Sequence, residues 1–420
     1  MKIRLLVLLL GLTFNAAAEQ KAEQNPGALP PEASVIDTLH NHPRIREADS
    51  FIVGETAQRA ALVAGSHEWT VRLGGQQRRT DDPGQPGQRY QEWNVALERP
   101  LRLYGKAELD EAMGNAGVSQ AELAARAVRH ETSRNLLSAW FNWLRENVAA
   151  EQWREQVALV GRQAAALKRR HQLGDASRIE QTLADAALAQ AEAQYTQARV
   201  RQQMAEAGLQ RLYPALPVTP PSSLPEPVEP GGDEAKWRER IIENNHDLGL
   251  VRLEQQRSSI SARRAERERY PDPSVGIQYS RERSGAEHVA GLFVSIPLAG
   301  EKRRRDADTA QAQARMAEYR AQDVRQKIEA EAAGYFHSAL GAYRSWLSAN
   351  TAATQLEQVA RMTQRAYALG EGSLDDFLTR QRLANEARLG ELQGRLDAIE
   401  RYHRLQLEAR QLWDFGGAGG

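Results

Sequence analysis

The chain has 420 residues, and its 55 Lys and Arg residues balance 55 Asp and Glu residues to a formal net charge of zero. That balance leaves no basic excess to hold a nucleic-acid backbone, and a mean hydropathy of −0.61 is too polar for a bundle of lipid-buried helices. With no cysteine there is no disulfide, thiolate metal site, cysteine nucleophile or lipidated N-terminal cysteine, whereas a soluble helical protein and a transmembrane β-barrel both stay open.

Lys2 and Arg4 precede an apolar run over residues 5–14, and Ala16-Ala17-Ala18 then offers a small-residue cleavage site. A charged start, a short apolar core and an A-x-A end predict a secretory signal peptide over residues 1–18, with the mature chain starting near Glu19.

A first repeat is expected over residues 19–212. It opens with a helical stretch at 35–64 and continues into a strand pair at about 68–103. Trp69, Val71 and Leu73, then Trp93, Val95 and Leu97, alternate with polar residues, the period that places one face of a strand in an apolar setting. Asp81-Asp82-Pro83-Gly84-Gln85-Pro86-Gly87 supplies the turn. Residues 106–172 lack proline and are rich in Ala, Glu, Gln, Arg and Leu, the strong helix formers. At 1.5 Å per residue such a helix extends ~100 Å, too long for a compact globule, so coiled-coil or tunnel architecture is left. A break at Gly174 returns the chain along a second helix, where Leu183, Ala187, Ala191, Ala198 and Ala205 recur at helical intervals and predict close backbone approach. Trp140, Phe141 and Trp143 read as core contacts rather than ligand contacts.

Residues 213–233 hold Pro214, Pro217, Pro220, Pro221, Pro225, Pro227 and Pro230, a density that predicts an extended connector. A second repeat, residues 234–414, follows the same order: a helical stretch at 234–269, a strand pair at about 273–299, a helix at 301–368, a break at Gly370 and a returning helix. Val275, Ile277 and Tyr279 alternate before the Arg283-Ser284-Gly285 turn, and Leu292, Val294 and Ile296 after it; Tyr335 and Phe336 supply core aromatics, and residues 415–420 form a flexible tail. Three echoes fix the duplication: Asn41-His42-Pro43 with Asn245-His246-Asp247, Val95-Ala96-Leu97-Glu98-Arg99-Pro100-Leu101 with Phe293-Val294-Ser295-Ile296-Pro297-Leu298, and Leu173-Gly174-Asp175-Ala176-Ser177 with Leu369-Gly370-Glu371-Gly372-Ser373. Pro100 and Gly174 are 74 positions apart, Pro297 and Gly370 73.

Strands of about ten residues with aromatics near their ends (Trp69, Tyr90, Trp93 and Tyr279) have the dimensions of membrane-barrel strands. Four such strands cannot close a barrel, and open edges are not tolerated in lipid. Either several chains share one barrel, or a small soluble sheet caps a helical bundle. No GxSxG, HExxH or phosphate-binding glycine loop is present, which argues against an enzyme and implies no cofactor. The nine histidines are scattered, and the nearest pair, His40 and His42, reads as surface rather than as a metal site.

Three segments carry a family resemblance: Tyr270-Pro271-Asp272-Pro273-Ser274-Val275-Gly276, Val294-Ser295-Ile296-Pro297-Leu298, and Tyr367-Ala368-Leu369-Gly370-Glu371-Gly372-Ser373-Leu374-Asp375-Asp376-Phe377-Leu378. With the duplication, the mature chain resembles the TolC-type outer-membrane factors, the exit ducts of tripartite efflux pumps and type I secretion systems. The resemblance implies a mainly α fold with a β-barrel part. In it a homotrimer shares one twelve-stranded barrel in the outer membrane of a Gram-negative bacterium, above a periplasmic tunnel of coiled-coil helices. It implies partners as well: a periplasmic adaptor docking at the tips (Leu173, Gly174, Ser177, Leu369, Gly370, Ser373), an inner-membrane transporter of the RND type, and outer-membrane lipid. By position in the motif, Tyr367 resembles the gate tyrosine, Glu180 its acidic partner and Asp376 a ring aspartate beside Asp375; helix-start electrostatics is the plain alternative for Glu180 and Asp376. Gly372 stands where some members carry an arginine link, and Thr379 where a second ring acid would sit. Pro100-Leu101-Arg102-Leu103-Tyr104-Gly105-Lys106 is similar to a segment of the heavy-metal, CzcC- and CusC-like branch, which implies metal-cation export. Lys302-Arg303-Arg304-Arg305 suits either lipid headgroups or a solvated helix start. A periplasmic coiled-coil scaffold or adaptor and a protein-secretion duct are the alternative functions.

Overall fold

The computed structural model describes residues 27–413 except Asp82 and Gln85; the expected signal peptide and the tail at 415–420 lie outside the described residues. Each repeat is built as two helices, two strands, one very long helix and a returning helix. The first contains α1 (Glu32–Asn41), α2 (Pro43–Ala64), β1 (Thr70–Thr80), β2 (Gln88–Pro100), α3 (Lys106–Gln172) and α4 (Arg178–Leu212). The second contains α5 (Glu234–Glu243), α6 (His246–Glu268), β3 (Ser274–Glu282), β4 (Glu287–Ser295), α7 (Glu301–Ala368) and α8 (Leu374–Glu408).

The opening stretch of each repeat is two helices, not one. Pro43 starts α2 while the His42 ring nitrogen accepts from the Arg44 amide at 3.3 Å, and the Asn245 side chain accepts from the Leu248 amide at 2.9 Å to start α6. The echo around Asn41 and Asn245 is therefore a repeated helix start, capped by the His42 side chain in the first repeat and by the Asn245 side chain in the second, each satisfying a backbone donor that a helix leaves unpaired.

The 67-residue α3 and the 68-residue α7 are the full-length staves. The shorter helices lie along them in succession: α2 beside the sheet-proximal half of α3 and α4 beside its far half, with α6 and α8 repeating this on α7. Gly114 is a contact of necessity, because a Cβ there would come within 2.9 Å of Arg59 on α2. Along α4 the buried positions are Ala184, Ala191 and Ala198, one heptad apart. Leu183, expected on the packed stripe, is exposed, because the seam runs one residue further on.

At mid-height a core of large side chains gathers both repeats. Leu136, Leu137, Trp140, Phe141, Trp143 and Leu144 of α3 pack with Val35, Leu39, Leu209, Leu396 and Ile399. Trp237, Ile241, Phe336 and Leu405 form the matching cluster of the second repeat. The proline-rich connector is extended but not free. Tyr213 and Leu216 are buried in the first core, and the Pro225 carbonyl accepts from Arg395 Nε at 2.9 Å. Its apolar residues between the prolines supply that anchorage.

The strands form one antiparallel sheet in the order β1-β2-β3-β4, so β2 and β3, though far apart in sequence, are neighbours. Register sorts the two faces. Val71, Leu97, Ile277 and Leu292 share a row, as do Leu73, Val95, Tyr279 and Ala290. The opposite face carries rows such as Arg72, Ala96, Gln278, Gly291 and Gln76, Glu92. Trp93 and Tyr279 lie on the apolar face with ring centroids 5.7 Å apart, and Trp69 lies at its helix-proximal end under the Arg99 guanidinium at 5.5 Å. Tyr90, partly buried, projects from the polar face instead. Among the described residues no helix is long and apolar enough to cross a membrane.

A buried ion network joins sheet to staves. Lys106 is 0% exposed and places its Nζ 2.8 Å from the Tyr270 carbonyl, 3.1 Å from Asp272 Oδ1 and 3.3 Å from Glu268 Oε2. Arg264 pairs with both Asp110 and Glu268, and Arg303 with Glu268. Burial works to raise the Glu268 carboxyl, but hydrogen bonds from Arg264 and Arg303 and the Lys106 charge outweigh it and leave the group below its usual range. Arg303 thus faces this network, while Lys302 and Arg305 stand exposed and paired along α7 with Asp306 and Glu301.

Candidate functional site at the helical tips

Both helical hairpins turn at the end remote from the sheet, and both use one device. Gly174 and Gly370 adopt φ of +80°, the left-handed region in which a side chain is strained. The Asp175 amide reaches back to the Arg170 carbonyl at 2.8 Å, and the Glu371 amide to the Ala366 carbonyl at 2.9 Å, closing the helix C-termini. Ser177 and Ser373 then cap the returning helices, accepting from the amides of Glu180 and Asp376 at 3.1 Å.

The two turns differ in what the acid does. The Glu180 carboxylate reaches back to the Ser177 amide at 2.8 Å and completes a capping box; these hydrogen bonds, aided by the charge of Arg170, hold its carboxyl below the ordinary range. Asp376, one methylene shorter, instead accepts from Arg380 Nε at 3.1 Å within its own helix. Asp375 is exposed beside it and lines a groove of about 370 Å³ with Leu183, Ala187, Leu378, Thr379 and Arg382.

Tyr367 joins the hairpins. Its ring stacks nearly parallel on Phe377 at 5.8 Å, and its hydroxyl accepts from the Arg170 guanidinium at 3.3 Å. Arg170 Nε donates to Asp175 Oδ2 at 3.0 Å, an interaction that raises its own pKa and aims the fork at the second hairpin. Glu180 faces Tyr367 only through the field of Arg170. Gly372 packs against the last turn of α7, where a Cβ would lie 3.3 Å from the Tyr367 amide.

Beneath these polar contacts, Ala164, Leu167, Ala184, Leu374 and Phe377 form a small core shared by both hairpins. Leu173, Leu369 and Ile179 project outward, 84%, 75% and 73% exposed. Two features here escape sequence reading. Arg170 is 197 positions from its tyrosine and lies outside the turn motif. Ile179 gives one detectable signal, an apolar residue in the polar first turn of α4. Among the described residues no group of His, Asp and Glu is arranged to hold a metal, and His40 and His42 lie at mid-height beside the first core.

Residues 237–407 match the family model described as outer membrane efflux protein. No curated protein is a significant match by sequence. Among solved structures, the chain is similar to a membrane protein from Pseudomonas aeruginosa, with a TM-score of 0.76 at 17% identity over 90% of this chain and 92% of that one. It is also similar to the open-state MtrE outer membrane channel of Neisseria gonorrhoeae, with a TM-score of 0.71 at 16% identity over 90% and 88%. The CmeC outer membrane channel of Campylobacter jejuni gives a TM-score of 0.70 at 15% identity over 90% and 89%. The second repeat thus resembles the outer membrane efflux protein family, and 90% of the chain's length shares the fold of these outer membrane channels.

Proposed function

We propose that this chain is an outer membrane efflux protein and serves as the passive exit duct of a tripartite efflux system, formed by three copies and gated at its periplasmic tips. The observation that carries the reading is the sheet. It has one apolar face and one polar face, and β1 and β4 form its open edges. Edges in lipid leave backbone groups unpaired at several kcal/mol each, so four strands suit a membrane only when neighbouring chains close the ring. Three chains supply twelve strands, and the nearly equal lengths of α3 and α7 let both repeats hang from one barrel to one level.

In this reading the Arg170–Tyr367 link and the Phe377 stack hold the hairpins in register, with Glu180, Asp375 and Asp376 setting the charge around the opening. The exposed Leu173, Ile179 and Leu369, beside the Gly174, Ser177, Gly370 and Ser373 turns, offer a periplasmic adaptor its apolar footing, and an inner-membrane transporter of the RND type supplies the energy. Heavy-metal cations are the cargo implied by the Pro100–Lys106 resemblance. The side chains of that segment serve the joint between sheet and staves, so selection is left to the pump. Deleting the protein and comparing metal with dye sensitivity decides between metal, drug and protein export.

The assembly is tested by the mass and shape of the particle extracted from outer membranes in mild detergent. A trimer in a tapered cylinder more than ~100 Å long is expected from the helix rise. A soluble monomer or dimer from the periplasm would replace the duct with a coiled-coil scaffold.

A further inference from the structure

The apolar face of the sheet does not end in neutral residues at the turn end, the end remote from the helices. Continuing its register past Leu73 and Val95, the same face carries Arg281 and His288 in the row of Trp93, and then Arg79 directly opposite Arg89. Like charges directly across a strand pair are destabilising. Arg79 is relieved by Asp81 at 3.0 Å, while among the described residues neither Arg89 nor Arg281 forms an ion pair. The strand carboxylates at this level, Glu92 and Glu282, lie on the other face and take Arg78. At this level the apolar face therefore carries strand arginines with no strand carboxylate, while the polar face balances Arg78 with Glu92 and Glu282.

Position is sorted too. Trp93 lies level with Arg281 and Tyr279 one row further inside, with ring centroids 5.7 Å apart, and the Tyr279 hydroxyl meets His288 Nδ1 at 2.6 Å. Aromatics of this kind mark the boundary between acyl chains and headgroups. The Arg281 guanidinium rests over Gly285, where any Cβ would overlap it, so the turn is shaped to receive that side chain.

We propose that Arg79, Arg89 and Arg281 form a docking surface for the phosphates of an anionic lipid headgroup in the outer leaflet, repeated on each protomer around the barrel. Guanidinium forks match phosphate oxygens bidentately, and a headgroup with two phosphates would engage two protomer-surface arginines while neutralising the Arg79–Arg89 repulsion. The inference rests on the barrel reading above.

The test uses the detergent-extracted assembly, titrated with diphosphorylated lipid A, its monophosphoryl form or phosphatidylcholine, with retained lipid counted by native mass spectrometry. Reconstitution into phosphatidylcholine vesicles is scored separately by protease protection. The wild type is expected to retain the diphosphorylated lipid most strongly. The triple variant Arg79→Gln, Arg89→Gln, Arg281→Gln should retain at least tenfold less, and the triple lysine variant an intermediate amount, all three inserting equally into phosphatidylcholine. Equal retention by wild type and glutamine variant would overturn the proposal while leaving the barrel intact. Full displacement by millimolar inorganic phosphate would reassign the arginines to a free anion and overturn the lipid assignment. Failure of the wild type to insert into vesicles would sink the barrel reading, and the proposal with it.

Discussion

The mid-height belt and the helical tips are cut from the same long helices but are held together by different means. In the belt, Trp140, Phe141, Trp143 and Leu136 of α3 are wholly buried among residues from α1, α4, α8 and the connector. At the tips the buried positions are mostly alanines at heptad spacing, with one small core around Phe377 and an exposed ion link through Arg170. Large side chains bury the most apolar area, and dense cores have few alternative packings. Exposed ion pairs contribute about 0–1 kcal/mol and exchange readily. The belt is therefore built as a fixed collar and the tips as the more loosely held end, which suits the proposed gate.

Large-to-small substitutions should separate the two regions most clearly. Trp143→Ala is expected to cost about 3–5 kcal/mol and to destabilise the whole particle, read by denaturant unfolding. Phe377→Ala should fall at the low end of that range or below it, because its alanine-lined site can collapse, and it should loosen the tips in hydrogen exchange while leaving the belt protected. A belt as labile as the tips in that variant would remove the distinction.

Capping sharpens the comparison between the two turns. Ser177→Ala should cost about 1 kcal/mol, and more than Ser373→Ala, since only the first turn has the reciprocal bond from Glu180. Acidification should reach the regions in sequence. Burial lowers the pKa of His403 and His130 from 6.5, so their contribution to stability is lost as pH falls below that value and the unfolded chain takes up protons more readily. Glu180 is lowered from 4.5, so its cap contribution persists until pH falls through the carboxylate range. Hydrogen exchange between pH 7.5 and 5.5 should therefore soften peptides around residue 403 before those around residue 180; the reverse order would contradict the assignment.

Much of this was legible in the sequence for definable reasons. The bounds of α3 and α7 follow from proline-free runs of helix formers ended by glycine, and the strand faces follow from period-two alternation. Contacts between repeats left no local trace. The Arg170–Tyr367 link, the anchoring of Leu216 in the first core and of Pro225 on Arg395 of α8, and the burial of Lys106 against Asp272 each join residues far apart in the chain. Glu180 illustrates the intermediate case: its motif position was readable, but only the geometry shows its carboxylate engaged by Ser177, with Arg170 standing toward Tyr367.

The most direct test of a gated duct is single-channel conductance in a planar bilayer, comparing the wild type with the Arg170→Gln, Tyr367→Phe double variant and with a control in which Ser373→Ala removes only a cap. A small wild-type conductance is expected, with a severalfold larger one for the double variant at unchanged thermal stability and little change for the control. A double variant conducting no more than the wild type, in particles of normal mass and stability, would contradict the claim that this link holds the tips closed.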